Sequence, residues 1–213
     1  MTARPGTEVS VANVALAHCG VSGIADMQVD NTKGRAVRQF FAQVRDSILR
    51  QKWWSFAKGW VRPSADPVES LGPLRKRYAL PEDCVRVRYI VDANGDIHDD
   101  QCGAWDLESS GARDGQAEQT FLVSNIDAPT VAYTRRIEDV RLWDPVFEEA
   151  FGYGLAAKVC RKLNRSSSFA DRMEGYAKDL IETASAIDSK EQSRQKKRPQ
   201  SSWLTARYIS GRR

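Results

Sequence analysis

The chain has 213 residues, 41% of them hydrophobic and 28% charged, with a formal net charge of +4. That suits one ordinary domain with a packed core, and no stretch approaches the roughly 18 consecutive apolar residues that would span a bilayer. The N-terminal Met1-Thr2-Ala3-Arg4-Pro5-Gly6 lacks the apolar run of a secretory signal, so the expectation is a protein made in the cytoplasm, with no membrane partner.

Residues 8 to 19 predict a short helix with Val11, Val14, Ala15 and His18 on one face and Gly20 as its stop. After a loop at residues 21 to 26, Asp30, Asn31 or Thr32 is placed to cap a longer helix. Its apolar stripe is Val37, Phe40, Phe41, Val44 and Ile48, and Arg35, Arg38, Arg45 and Arg50 fall on the wet side. Trp53, Trp54 and Phe56 follow, as anchors for the helix end against the core.

From about Trp60 the period changes, with Pro63, Pro67, Gly72 and Pro73 excluding a helix. Cys84 to Val91 reads as a half-buried strand, Val85, Val87 and Tyr89 alternating with Arg86 and Arg88. Asn94-Gly95 is a hairpin signal. Two further strands are predicted at residues 121 to 123 and 130 to 134. Residues 108 to 119 have few large apolar side chains and read as a mobile hairpin tip.

Helical signals return at Asp144, a cap, and Pro145, suited to a first helical position, followed by the stripe Phe147, Phe151, Leu155, Val159 and Leu163. Ser168 with Asp171 resembles a capping box that opens a last helix, its inner face formed by Met173, Tyr176, Ala177, Leu180, Ala184 and Ile187. The fold class expected is α+β: a bundle of about four helices (residues 1–58 and 138–189) with a β domain (59–137) inserted between the second and third helices. An extended basic C-terminal arm (190–213) completes the chain. From Ser189 onward eight basic residues face one acid, Glu191, so this segment carries +7 and the body about −3. Its apolar cluster at residues 202 to 209 behind a charged stretch has the pattern of a tethered docking peptide.

The chemistry legible in the chain is sparse. Cys19, Cys84, Cys102 and Cys160 are far apart, without a CxxC pair, and read as free thiols in or near a core. Asp92, Asn94, Asp96, Asp99 and Asp100 invite a calcium reading. An EF-hand loop, however, needs Gly at its sixth position and Glu at its twelfth, where Ile97 and Gly103 stand, so a solvated turn is the better reading. Gly152 and Gly154 fall inside a helical stripe, where small residues permit close helix packing rather than a phosphate loop. Arg75-Lys76-Arg77, Arg86 and Arg88, with Trp53 and Trp54, form a candidate nucleic-acid surface; the competing reading puts the aromatics in the core and the arginines on a strand's wet side. No catalytic constellation, metal site or cofactor site stands out, and the expectation is a protein that is not an enzyme.

Several segments in order carry a resemblance. Arg45-Asp46-Ser47-Ile48-Leu49-Arg50, Trp54-Ser55-Phe56-Ala57 and Tyr78-Ala79-Leu80-Pro81-Glu82-Asp83-Cys84-Val85-Arg86-Val87 resemble the N-terminal half of the phage tail tubular protein A family, the head-to-tail adaptors of short-tailed phages. Trp143-Asp144-Pro145-Val146-Phe147, Ala184-Ser185-Ala186-Ile187-Asp188 and Ser202-Trp203-Leu204-Thr205-Ala206-Arg207 are similar to its C-terminal half. The match spans nearly the whole chain and departs most at residues 92 to 119. The resemblance implies a virion structural protein at the head–tail junction, forming a ring of about twelve copies by packing bundle against bundle. Its partners would be the portal protein, the next tail or nozzle component, and double-stranded DNA that passes through the lumen without sequence-specific binding. The C-terminal arm would bind the portal, with Lys190, Arg194, Lys196, Lys197, Arg198, Trp203, Leu204, Arg207 and Tyr208 as its contacts. The alternative expectation is a DNA-contacting packaging accessory that grips phosphates with the same basic tail.

Overall fold

The computed structural model describes residues 7–110, 119–163 and 166–196. Among these are four α-helices: α1 (Glu8–His18), α2 (Thr32–Gln51), α3 (Pro145–Lys162) and α4 (Ser167–Lys196). Between α2 and α3 lie seven strands: β1 (Lys58–Val61), β2 (Lys76–Ala79), β3 (Cys84–Val91), β4 (Ile97–Asp99), β5 (Trp105–Ser110), β6 (Gln119–Ser124) and β7 (Thr130–Arg135). The mixed class and the insertion point match the sequence expectation.

Local chemistry explains the helix boundaries. Thr7 and Ser10 form a reciprocal capping box on α1. Asn31, one of three candidates, caps α2 by accepting from the Gly34 N–H at 2.8 Å. Asp144 caps α3 through the Val146 N–H, with Pro145 in the first turn. Gly20, just past α1, has φ +66°, a conformation that costs glycine little.

α3 is the centre of the bundle, with Phe147, Phe151, Leu155 and Val159 fully buried. Phe147 meets Trp54, Phe56 and Trp143 edge-on at centroid distances of 5.2, 5.1 and 4.9 Å, contacts that add to the burial term. Gly152 and Gly154 permit close approach, as expected. A Cβ at Gly152 would lie 3.3 Å from a Val14 methyl, and one at Gly154 would lie 3.2 Å from a Val44 methyl. One glycine thus admits α1 and the other α2.

The predicted helix faces need three corrections. α1 buries Val11, Ala12, Ala15 and Leu16, while Val14 lies outward over Gly152. Arg45, placed on the wet side of α2, is buried because Asp46 (2.8 Å) and Glu138 (3.5 Å) receive its charge. α4 begins before Ser168, and Asp171 binds Arg161 at 2.7 Å instead of closing a capping box; Tyr176 is exposed and Ile181 takes the buried place.

The free-thiol reading also needs correction for two cysteines. Cys19, just after α1, and Cys160, in α3, form a disulfide with a Cα–Cα distance of 5.7 Å. Their separation of 141 residues hides the pairing from any spacing rule. Cys84 and Cys102 are free.

The strands form two antiparallel sheets, ordered β1-β7-β3-β4 and β2-β6-β5. Tyr78, Val87, Ile90, Leu122 and Val131 make the core between them. Irregular register in β3, between Cys84 and Arg86 and between Val87 and Tyr89, breaks the expected alternation. Val87 and Ile90 therefore point inward, and Val85 and Tyr89 are only half-buried. The hairpin tip expected at 108 to 119 needs narrower bounds, since 108–110 and 119 belong to paired strands. Residues 105–110 pair with 119–124 as β5 and β6, and 111–118 lie outside the described residues.

Candidate functional site

Two places concentrate charge: the junction of the bundle with the sheets, and the far end of α4. At the junction, the last carbonyls of α2 have no partners within the helix. Arg88 on β3 donates to the Leu49 and Arg50 carbonyls at 3.2 and 3.1 Å, and Arg86 donates to the Arg50 carbonyl at 3.3 Å. Arg50 returns a bond to the Val85 carbonyl at 3.1 Å. Cations belong at a helix C-terminus, where the dipole is negative. Burial holds the Arg88 guanidinium down to about 10, with Arg86 and Arg50 adding repulsion. Arg88 also donates to the Thr134 hydroxyl at 2.8 Å, tying α2, β3 and β7 together.

A second seam lies beside it. Asp46 accepts from Arg45 and from Arg136, the latter at 3.1 Å, and Asp83 accepts from Arg135 at 3.0 Å and from the Tyr133 hydroxyl at 3.3 Å. Burial first, then the Asp83 charge, raises the Tyr133 phenol.

An open cleft of about 580 Å³ adjoins the junction, bounded by Arg50, Glu82, Cys84, Arg86, Asp100 and Trp105 among others. Among the described residues, two arginines and two carboxylates line it, with Arg86 3.8 Å from Asp100. The Cys84 thiol, pushed up to about 11 mainly by burial, stays protonated at neutral pH and is a poor nucleophile. No histidine lines the cleft. His18 stacks on Tyr153 at 4.4 Å, its basicity lowered by burial against the opposing pull of Glu149. His98 contacts Asp92 at 3.4 Å. Asp92 itself organises the β3–β4 turn, accepting from the Asn94 and Asp96 N–H groups at 2.8 and 2.9 Å. Among the described residues, no group of three or more His, Cys, Asp or Glu is placed to hold a metal ion.

No family model matches the chain, and no curated protein is significantly similar to it. No described helix is long and apolar enough to cross a membrane.

The proposed arm contacts divide at the end of α4. Lys190, Arg194 and Lys196 belong to the helix, which continues seven residues past the boundary drawn at 189. The signal was present: Lys, Glu, Gln and Arg, which dominate residues 190 to 196, are good helix formers. Lys197, Arg198, Trp203, Leu204, Arg207 and Tyr208 lie outside the described residues.

The candidate nucleic-acid residues do not converge on one surface. Lys76 pairs with Asp127. Arg77 is buried over the Phe121 ring at 4.0 Å. Arg86 and Arg88 serve the end of α2, and Trp54 is in the bundle core, donating to the Ile48 carbonyl at 3.2 Å. The sequence reading missed the junction itself. Its signal was the surplus of arginines in a strand predicted to be half-buried.

Proposed function

We propose that this chain is the ring-forming head-to-tail adaptor of a tailed phage, a virion component that builds a connector and catalyses no reaction. The observation that carries the reading is the mismatch of α3 and α4. Eighteen residues form α3 and thirty form α4, about 27 and 45 Å at 1.5 Å per residue. The described inward-facing residues of α4 extend to Ala184. Beyond the length of α3, the helix carries the basic sequence toward whatever lies past that end of the bundle. A body anchored by packing, with a long cationic extension, suits a part that sits in a ring and attaches to a neighbouring ring. The order of motifs along the chain supports the same reading. On it, the portal meets the extension, DNA passes through the lumen, and the opposite side meets the next tail component.

Electron microscopy of the full chain, alone and mixed with the portal of the same phage, tests this directly. Rings of defined symmetry, stacked on the portal when it is present, are expected; particles without rotational symmetry in both samples would overturn the reading. Truncation after Lys196 and after Ser189 should each weaken portal binding, the second more. A salt-titrated mobility shift on free protein separates the packaging-accessory alternative, which requires tight, steeply salt-dependent DNA binding.

A further inference from the structure

Among the described residues, the four-stranded sheet ends in two short edge strands, β1 and β4, each paired on one side only. Residues opposite one another in a sheet share a face. Trp60 lies opposite Ala132, Ala132 opposite Tyr89, and Tyr89 opposite Asp99. Trp60 and Asp99 therefore stand on the same face at opposite edges. Two residues along each strand, Lys58 and Ile97 join them. Trp60 is 56% exposed and Ile97 67% exposed, unusual for large apolar side chains at the two ends of one sheet.

The strand directions are equally specific. Every pairing is antiparallel, so β1 and β3 run one way and β7 and β4 the other. A second copy in the same orientation would bring its β1 antiparallel to β4 of the first, and the up-down alternation would continue without a break. With Trp60 opposite Ile97, the antiparallel register places Lys58 opposite Asp99. One apolar pair and one ion pair then fall on the same face, the kind of cross-strand match that stabilises a seam.

Charged residues on an edge strand commonly prevent edge-to-edge pairing. That account predicts repulsion when the edges meet. Here β1 contributes Lys58, with Arg62 just beyond it, while Asp96, Asp99 and Asp100 flank or belong to β4. The edges have opposite signs.

We propose that the sheet continues from copy to copy, β4 of one subunit pairing with β1 of the next, with Trp60 against Ile97 and Lys58 against Asp99. The proposal rests on the ring reading and supplies a seam for it. Because the contact joins two different edges it is heterologous, and such contacts generate closed rings when the rotation closes. Three or four residues of pairing make a weak seam alone, so it acts together with other contacts around the ring.

Sedimentation velocity of the full-length chain tests this through a charge exchange. Lys58→Glu and Asp99→Lys should each weaken self-association on the order of tenfold, and the double exchange should restore it. Ile97→Ser, which touches no ion pair, should weaken it as well. Unchanged thermal unfolding of the single variants shows that the fold is intact. Single exchanges that associate like the parent, or a double exchange no better than its singles, overturn the seam. Micrographs of the same samples separate the two ideas: intact rings insensitive to the exchange reject the seam alone, whereas a parent chain that forms no ring, alone or with its portal, rejects the ring reading and the seam with it.

Discussion

The bundle and the β block are stabilised in different ways. The bundle core interlocks Trp54, Trp143, Phe147 and Phe151 with aliphatic residues from all four helices and carries a disulfide. The sandwich core contains five buried residues, helped by half-buried neighbours such as Leu80 and Trp105. Arginines fasten the sheets to the end of α2. The contrast teaches that the bundle is the scaffold and that the β block depends on its attachment to it.

The sharpest way to break that order is Phe147→Ala. Its ring is fully buried at the meeting point of three other aromatic side chains, and the truncation should cost about 3–5 kcal/mol. Denaturant unfolding should show both regions lost together. Leu122→Ala in the sandwich should cost about 2–4 kcal/mol, with hydrogen exchange rising in β2, β5 and β6 while α3 stays protected. Equal loss of protection in α3 would contradict the division. Arg88→Met should cost about 2 kcal/mol by leaving the Leu49 carbonyl without its donor and the Arg50 carbonyl with Arg86 alone, and exchange should rise at the end of α2 and in β3. Asn31→Ala should cost about 1 kcal/mol through the lost cap, measured as a shift in the denaturation midpoint.

The smallest expected effect is a pH dependence at the bundle's entrance. Hydrogen bonds from the Arg141 side chain and backbone lower the Asp139 carboxyl to about 2. A depressed carboxylate contributes its stability above the unfolded value, near 4, and loses it as pH falls toward 2. Carbon-13 NMR titration of the Asp139 carboxyl should show that low midpoint and its rise in Arg141→Ala.

Features set by short-range chemistry were legible in the sequence. Asp144-Pro145 marked the start of α3, the apolar stripes marked α2 and α3, and Asn94-Gly95 marked the β3–β4 turn. Features set by distant partners were not. Arg45 looked like a surface residue because Glu138 is 93 positions away, and the Cys19–Cys160 bond crosses most of the chain. β5 was invisible because Asp106 and Leu107 are both exposed on an edge strand, which erases the alternation a half-buried strand would show. At the candidate arm, composition suggested an extended docking segment from residue 190, where good helix formers extend α4 to Lys196.

That extension has a mechanical consequence. Twelve residues of α4 follow Ala184, the last described residue of its buried face, a helix length of about 18 Å. Over that length α4 outruns the eighteen residues of α3, so it acts as a cantilever held on the portion that α3 can match. A tilt of about 6° at the clamp would displace the tip by roughly 2 Å, more than the span of a covalent bond, without any helical hydrogen bond breaking. Small adjustments within the bundle are therefore magnified at its cationic end.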